Sequence, residues 1–148
     1  MASRTQPEPS HEQVFLTLVQ VSEGLQRAFA KLFKEYDLSL AQYNVLRILR
    51  GAGSEGATCS DVSDRLIRHD PDVTRLLDGL DRRGLVDRGR DDKDRRVVRT
   101  RITKAGQALL TKIDGPVEAL HAVHWGHMSA DRLTALKALL EDARAKTS

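Results

Sequence analysis

The sequence predicts a mainly α-helical fold with one small antiparallel β wing, an α+β arrangement, and three observations predict it. Apolar residues recur at helical spacing through most of the 148 residues. The composition, 40% apolar and only 4% aromatic, suits helices packed through Leu, Val and Ala. Between Gly84 and Thr103, two short β-like runs flank a highly charged turn, directly after a short amphipathic helix. A helix, a glycine stop and a charged hairpin in that order outline a winged helix-turn-helix.

Residues 1–9 hold two prolines and small polar residues and read as a disordered arm. Val14, Leu18, Val21, Leu25, Phe29 and Leu32 then mark a long amphipathic first helix over Glu12 to Tyr36, in which Gly24 costs about 1 kcal/mol relative to Ala. Asp37-Leu38-Ser39 breaks the pattern, and Ser39 is placed to cap a second, strongly apolar helix that ends among Gly51, Gly53 and Gly56. A short third helix begins at Thr58-Cys59-Ser60 and reaches about Arg68. Asp70 is the expected cap of the fourth, with Pro71 in its first turn, where a missing N–H is not needed. Val73, Leu76, Leu77 and Leu80 form its buried face, and Gly84 stands where a left-handed residue ends a helix.

Leu85 to Arg88 and Val97 to Ile102 are expected to pair as antiparallel strands around the turn Gly89 to Arg96. Thr103 caps a final helical region, in which Gly115-Pro116 predicts a kink or a break because proline removes an internal hydrogen bond. A last helix runs from about Ala130 to Ala145. The chain divides accordingly into the arm (1–9), a winged helix-turn-helix domain (37–103) and the helices that frame it (10–36 and 104–148).

Composition also excludes. No apolar run approaches the roughly 20 residues that span a bilayer, and the first residues carry no signal-peptide core, so a cytoplasmic protein with no membrane partner is expected. One cysteine, Cys59, rules out an intrachain disulfide and a Cys-rich zinc module. There is no glycine-rich phosphate loop, no nucleophile motif and no carboxylate pair in an apolar setting, so no enzyme is expected. The net charge of +3 is distributed unevenly: residues 65–104 hold thirteen basic and eight acidic residues and carry +5, which leaves −2 for the rest. An electrostatic footprint on phosphates has this form, and so does a solvated charged face.

The element order, with Val73-Thr74-Arg75, Arg83-Gly84-Leu85-Val86, Asp94-Arg95-Arg96 and Ile102-Thr103-Lys104-Ala105-Gly106 at these spacings, resembles the MarR family of transcriptional regulators over about Glu12 to Arg144. The resemblance implies a homodimer in which the first helix and the last two are dimerisation helices. It also implies binding to double-stranded DNA at a pseudo-palindromic operator, with repression as the expected outcome. The apolar excess of the terminal helices agrees, since exposed they would aggregate.

By this resemblance the fourth helix enters the major groove, with Thr74 and Arg75 toward bases. Asp72 either accepts from a cytosine amino group or pairs with a nearby arginine, and Ser60 is placed against phosphate. In the wing, Asp94 and Arg96 match the alternating acid and arginine of the family's minor-groove reader. Arg95 and Arg96 are both candidates for insertion, with Arg90 and Lys93 on phosphates.

Cofactors are not expected; release by a small aromatic effector and constitutive DNA binding without a ligand are both open, and Tyr36, Tyr43 and Trp125 are the candidate pocket residues, core packing being the alternative for each. Cys59, at a helix start, is either a thiol sensor or a small structural residue. His121, His124 and His127 recur every three residues, which spreads them around the helix, so a dimer-interface or solvent role is preferred to metal binding. The rival to a DNA-binding regulator is a winged-helix module that uses its wing for protein contacts.

Overall fold

The computed structural model describes residues 8–147, so most of the predicted arm lies outside the described residues. Helix α1 (His11–Lys34) leads to α2 (Leu40–Ala52), a 3-10 turn (Gly53–Glu55), α3 (Cys59–Arg65) and α4 (Val73–Arg82). Strands β1 (Val86–Arg90) and β2 (Val98–Ile102) follow, then α5 (Lys104–Trp125) and α6 (Ala130–Ala145). The strands form a two-stranded antiparallel sheet in which Val86 faces Ile102, Arg88 faces Thr100 and Arg90 faces Val98.

Local sequence explains where the helices start. Ser10 with Gln13, Ser39 with Gln42 and Thr58 with Asp61 form reciprocal capping boxes at the heads of α1, α2 and α3. In each, the cap's side chain accepts a backbone N–H that the helix leaves unpaired, and the later side chain returns the favour. Thr103 and Ser129 cap α5 and α6.

Several boundaries depart from the sequence reading. Helix α3 stops at Arg65, three residues early, because Leu66 turns to extended backbone and packs its side chain against the core. The cap of α4 is Asp72 and not Asp70: the Asp72 carboxylate accepts from the Arg75 N–H at 3.1 Å, while Asp70 accepts from the Asp72 N–H at 2.8 Å. The two aspartates act in series, and Pro71 lies just outside the helix. Gly89 and Arg90 belong to β1, so the charged turn narrows to residues 91–97. Helix α5 passes through Pro116 without a break; Ile113 and Val117 on either side pack on the core and hold the backbone helical. Leu76, expected in the core, is half-buried.

The core is organised around α2, which packs on α1, α3, α4, α5 and β2. Leu46 and Leu49 of α2 meet Val62, Leu77, Leu80, Val86, Leu110 and Ile113, all fully buried; each such side chain contributes about 2 kcal/mol through burial. The wing is fastened to this core by backbone. Ala57 and Thr100 exchange both hydrogen bonds, at 2.9 and 2.8 Å, and Thr100 is buried. A Cβ on Gly56 would lie 2.6 Å from the Thr100 carbonyl oxygen, so only glycine lets the chain before α3 come so near to β2. Gly106 does the same for the head of α5, where a Cβ would lie 2.2 Å from the Leu85 carbonyl oxygen.

The terminal helices differ from the lobe. Val14, Phe15, Leu16, Leu18, Val19 and Val21 are all exposed, the last five within three turns of one helix and on all its sides. Helix α6 has no buried residue, and Leu139 and Leu140 face solvent.

Candidate nucleic-acid interface

All nine residues that the sequence assigns to DNA are exposed. Asp72 is engaged with the head of α4, which leaves Thr74 and Arg75 in its first turn facing outward. Beside them sits the head of α3: Cys59 Sγ is 3.7 Å from Thr74 Oγ1, half-buried between the two helices, and Ser60 is exposed next to it. Arg88 of β1 forms an ion pair with Asp78, joining the sheet to the outer face of α4.

The wing separates its arginines into two groups. Arg99 Nε donates to Asp91 Oδ2 at 2.5 Å, and its guanidinium also lies 4.0 Å from Asp61 of α3. Arg101 Nε donates to the Ser54 carbonyl at 2.7 Å. Both are thereby used to brace the hairpin against the lobe. Arg90 donates to the Arg95 carbonyl at 2.9 Å and supports the tip while remaining exposed. Lys93, Arg95 and Arg96 are left at the tip, exposed; Arg95 and Arg96 have no side-chain partner among the described residues, and Lys93 has only the nearby Asp91 charge.

Asp94 accepts from the Arg96 N–H at 3.0 Å, and Asp91 from the Lys93 N–H at 2.9 Å. The carboxylate of Asp94 thus orients Arg96 through the backbone and not by an ion pair. The Arg99 guanidinium, followed by the Lys93 N–H, holds the Asp91 carboxyl below the usual carboxylate range. Asp61 is lowered as well, chiefly by the N–H and hydroxyl of Thr58. Because the folded pKa of Asp91 is depressed, the brace is present at neutral pH and is lost only as pH falls through that depressed value. Sequence reasoning missed this brace; its signal was Asp91 and Arg99, which lie across the turn from each other once the strands are in register.

A second feature lies on the other side of α2. A cleft of about 980 Å³ opens between α1, α2, α5 and the link from Leu66 to Asp70. Phe29, Tyr43, Leu66 and Val117 give it apolar walls, and Tyr43 stacks on Phe33 with ring centres 3.9 Å apart. Burial raises the Tyr43 hydroxyl above its ordinary pKa. Asn44, only 9% exposed, lines the cleft, and its amide has no hydrogen-bond partner among the described residues. Arg47, one turn on, lies over the Tyr43 ring at 5.9 Å and has no carboxylate partner, whereas Arg50 is held by both oxygens of Asp114.

Of the three aromatic residues read as pocket candidates, the structure brings only Tyr43 to this cleft. Tyr36 lies at the end of α1, and Trp125 lines a separate shallow groove with Leu133, Leu136 and Leu140. The rings of His121 and His124 rest against Phe29, 4.9 and 6.1 Å away. Asn44 was legible as a polar residue inside the run Tyr43 to Leu46 on an apolar helix face.

Comparison with known proteins converges on one family. A family model described as MarR family matches residues 36–97. A crystal structure of a MarR transcription factor from Planctomyces limnophilus is 37% identical, covers 92% of this chain and 98% of its own, and superposes with a TM-score of 0.70. The chain belongs to the MarR family. The homoprotocatechuate degradative operon repressor of Escherichia coli is 28% identical over 132 residues, 89% of this chain and 88% of that protein. The fold is shared with S. aureus MepR in its DNA complex, at 22% identity, a TM-score of 0.80, and coverage of 94% of this chain and 99% of that one. This MarR-family chain is therefore a winged-helix DNA-binding transcriptional regulator. Among the described residues, no helix is long and apolar enough to cross a membrane.

The wing brace generates a prediction in which two effects have opposite signs. Asp91→Asn removes a negative charge near phosphates, which by field alone would tighten DNA binding. It also loosens the hold on Arg99, because a neutral amide oxygen accepts its Nε–H more weakly than the carboxylate does. The expected result in a fluorescence-anisotropy titration is binding weakened about tenfold; tighter binding would show that the brace does not position the wing.

Proposed function

We propose that this MarR-family regulator acts as a homodimeric repressor on a pseudo-palindromic operator. In each half-site, α4 lies in the major groove and the wing tip in the minor groove. The observation that carries this reading is the division of basic residues: Arg88, Arg90, Arg99 and Arg101 make internal contacts, while Arg75, Arg95 and Arg96 are exposed with no side-chain partner among the described residues, and Lys93 is exposed beside them near the Asp91 charge. An arginine on the first turn of a recognition helix reads guanine through two hydrogen bonds, and arginine at a wing tip suits the negative potential of a narrow minor groove. The exposed apolar faces of α1 and α6 support a two-fold dimer, which would bury the same patch on both copies.

The division of labour has a direct test. Against a duplex recovered by selection of bound genomic fragments, Arg75→Ala should reduce the ratio of specific to random binding by about tenfold or more, since a bidentate base contact contributes about 1–3 kcal/mol of discrimination. Lys93→Ala should weaken binding to both duplexes alike and lower the salt slope by about one. Equal losses of specificity in the two variants would refute the assignment.

The cleft beside α2 supports release of DNA by a small aromatic acid. An apolar slot with an unpaired amide reaching its surface and, one turn away, an arginine without a carboxylate partner among the described residues fits a ring bearing a carboxylate and a second polar group. A ligand that binds one dimer geometry better than the other shifts the population between them. In a mobility-shift titration with a panel of hydroxybenzoates, at least one member should release wild-type protein from DNA, with Asn44→Leu requiring at least tenfold more. If no member releases it, or if Asn44→Leu responds like wild type, the cleft is not the effector site.

A further inference from the structure

The corner between α1 and α2 touches the end of α4 through one side chain. Arg83, which closes α4, donates through one guanidinium nitrogen to the Asp37 carbonyl and through the other to the Tyr36 carbonyl at 3.3 Å. Tyr36 and Asp37 lie in the turn that closes α1, just past its C-terminus, where the helix dipole favours a cation.

The two helix ends are built alike. At the end of α1, Asp37 takes a left-handed φ of +54°, the only non-glycine residue with positive φ among the described residues, and the Leu38 N–H reaches the Phe33 carbonyl at 3.0 Å. At the end of α4, Gly84 takes φ +68° and the Leu85 N–H reaches the Leu80 carbonyl at 3.0 Å. Each is a left-handed cap that closes a helix on its own carbonyls. Arg83 spans the two.

Otherwise α1 and α4 have little direct connection. Helix α1 packs on α2 and α5, and α4 packs on α2, α3 and β1. Arg83 has no carboxylate partner among the described residues, so its fork is given over to these two carbonyls. Lysine would not replace it, because a single ammonium does not hold two carbonyls in a fixed planar geometry.

We propose that Arg83 is a positioning residue that hooks the recognition helix to the end of α1, so that the direction of α4 follows the helix that carries the uncovered apolar face. Displacement of α1 then moves α4 with it, and the hook sets how strictly a dimer measures the distance between half-sites. That consequence for spacing rests on the two-fold reading given above; the hook itself does not.

The test uses full-length Arg83→Gln and Arg83→Lys beside wild type, in two arms. In the first, hydrogen exchange is followed without DNA at the Leu38 and Leu85 amides. Exchange about tenfold faster at both in Arg83→Gln, with the α2 core amides unchanged, is expected. In the second, binding is measured to the selected operator and to versions with one base pair added or removed between half-sites, a change that rotates one half-site by about a tenth of a turn. Wild type should lose about tenfold or more on the altered operators, and both variants about threefold or less, with the salt slope unchanged.

A variant salt slope lower by about one, with Arg83→Lys behaving as wild type, would mean that Arg83 contacts phosphate instead, and would overturn the proposal. Unchanged exchange at Leu38 and Leu85 would overturn it as well, whatever the DNA arm shows. General loss of core protection would reduce Arg83 to a stability contact and also overturn it. If wild type shows no spacing preference, the two-fold reading fails while the exchange arm still decides whether the hook exists.

Discussion

The structure depends most on the paired backbone hydrogen bonds between Ala57 and Thr100. A two-stranded hairpin is marginal by itself in water, and this one carries charge on nearly every outward position. By extending β2 onto the residue before α3, the pair converts the hairpin into part of the lobe and buries Thr100 in the process. Gly56 permits the approach, and Arg101 on Ser54 and Arg99 beside Asp61 secure its edges. The head of α3 and the wing are therefore fixed to each other. Through the packing of α3 on α4, so is the angle between the wing and α4.

That constraint explains how a chain with many arginines presents few of them. On a solvated hairpin, all the basic residues of 88–101 would be equivalent. Here strand register sorts them: those whose side chains fall over Asp78, Asp91, Asp61 or Ser54 become struts, and those beyond the end of pairing remain at the tip. The aspartates have a matching role. Asp72, Asp91 and Asp94 each accept a backbone N–H two or three residues on, which shapes the chain locally. Acidic residues in a DNA-facing segment would otherwise only repel phosphate.

Much of the fold was legible because it is set by local rules. Helical periodicity in α1 and α2, the caps Ser39 and Thr103, and the stop at Gly84 are decided by a few neighbouring residues, and the family motifs fixed their order. The misread features depended on contacts distant in sequence. Leu66 leaves its helix to reach the core, and Pro116 is carried through by packing on both sides. For the interface, residue type and position indicated which residues face outward; that the exposed Arg90 also holds the Arg95 carbonyl needed the hairpin geometry. Likewise Tyr36 and Trp125 had the right chemistry for an aromatic cleft, and topology sent them elsewhere. The hook at Arg83 was invisible in sequence, since it joins residues 46 and 47 positions apart.

The central claim is that two copies of one rigid unit place α4 in the major groove and the wing in the minor groove. Dimethyl sulfate footprinting reads both grooves in one experiment, because it methylates guanine N7 in the major groove and adenine N3 in the minor groove. On the selected operator, two patches of guanine protection centred about one or two helical turns apart are expected, each flanked on its outer side by adenine protection. A single patch, or guanine protection with the flanking adenines fully reactive, would contradict the account.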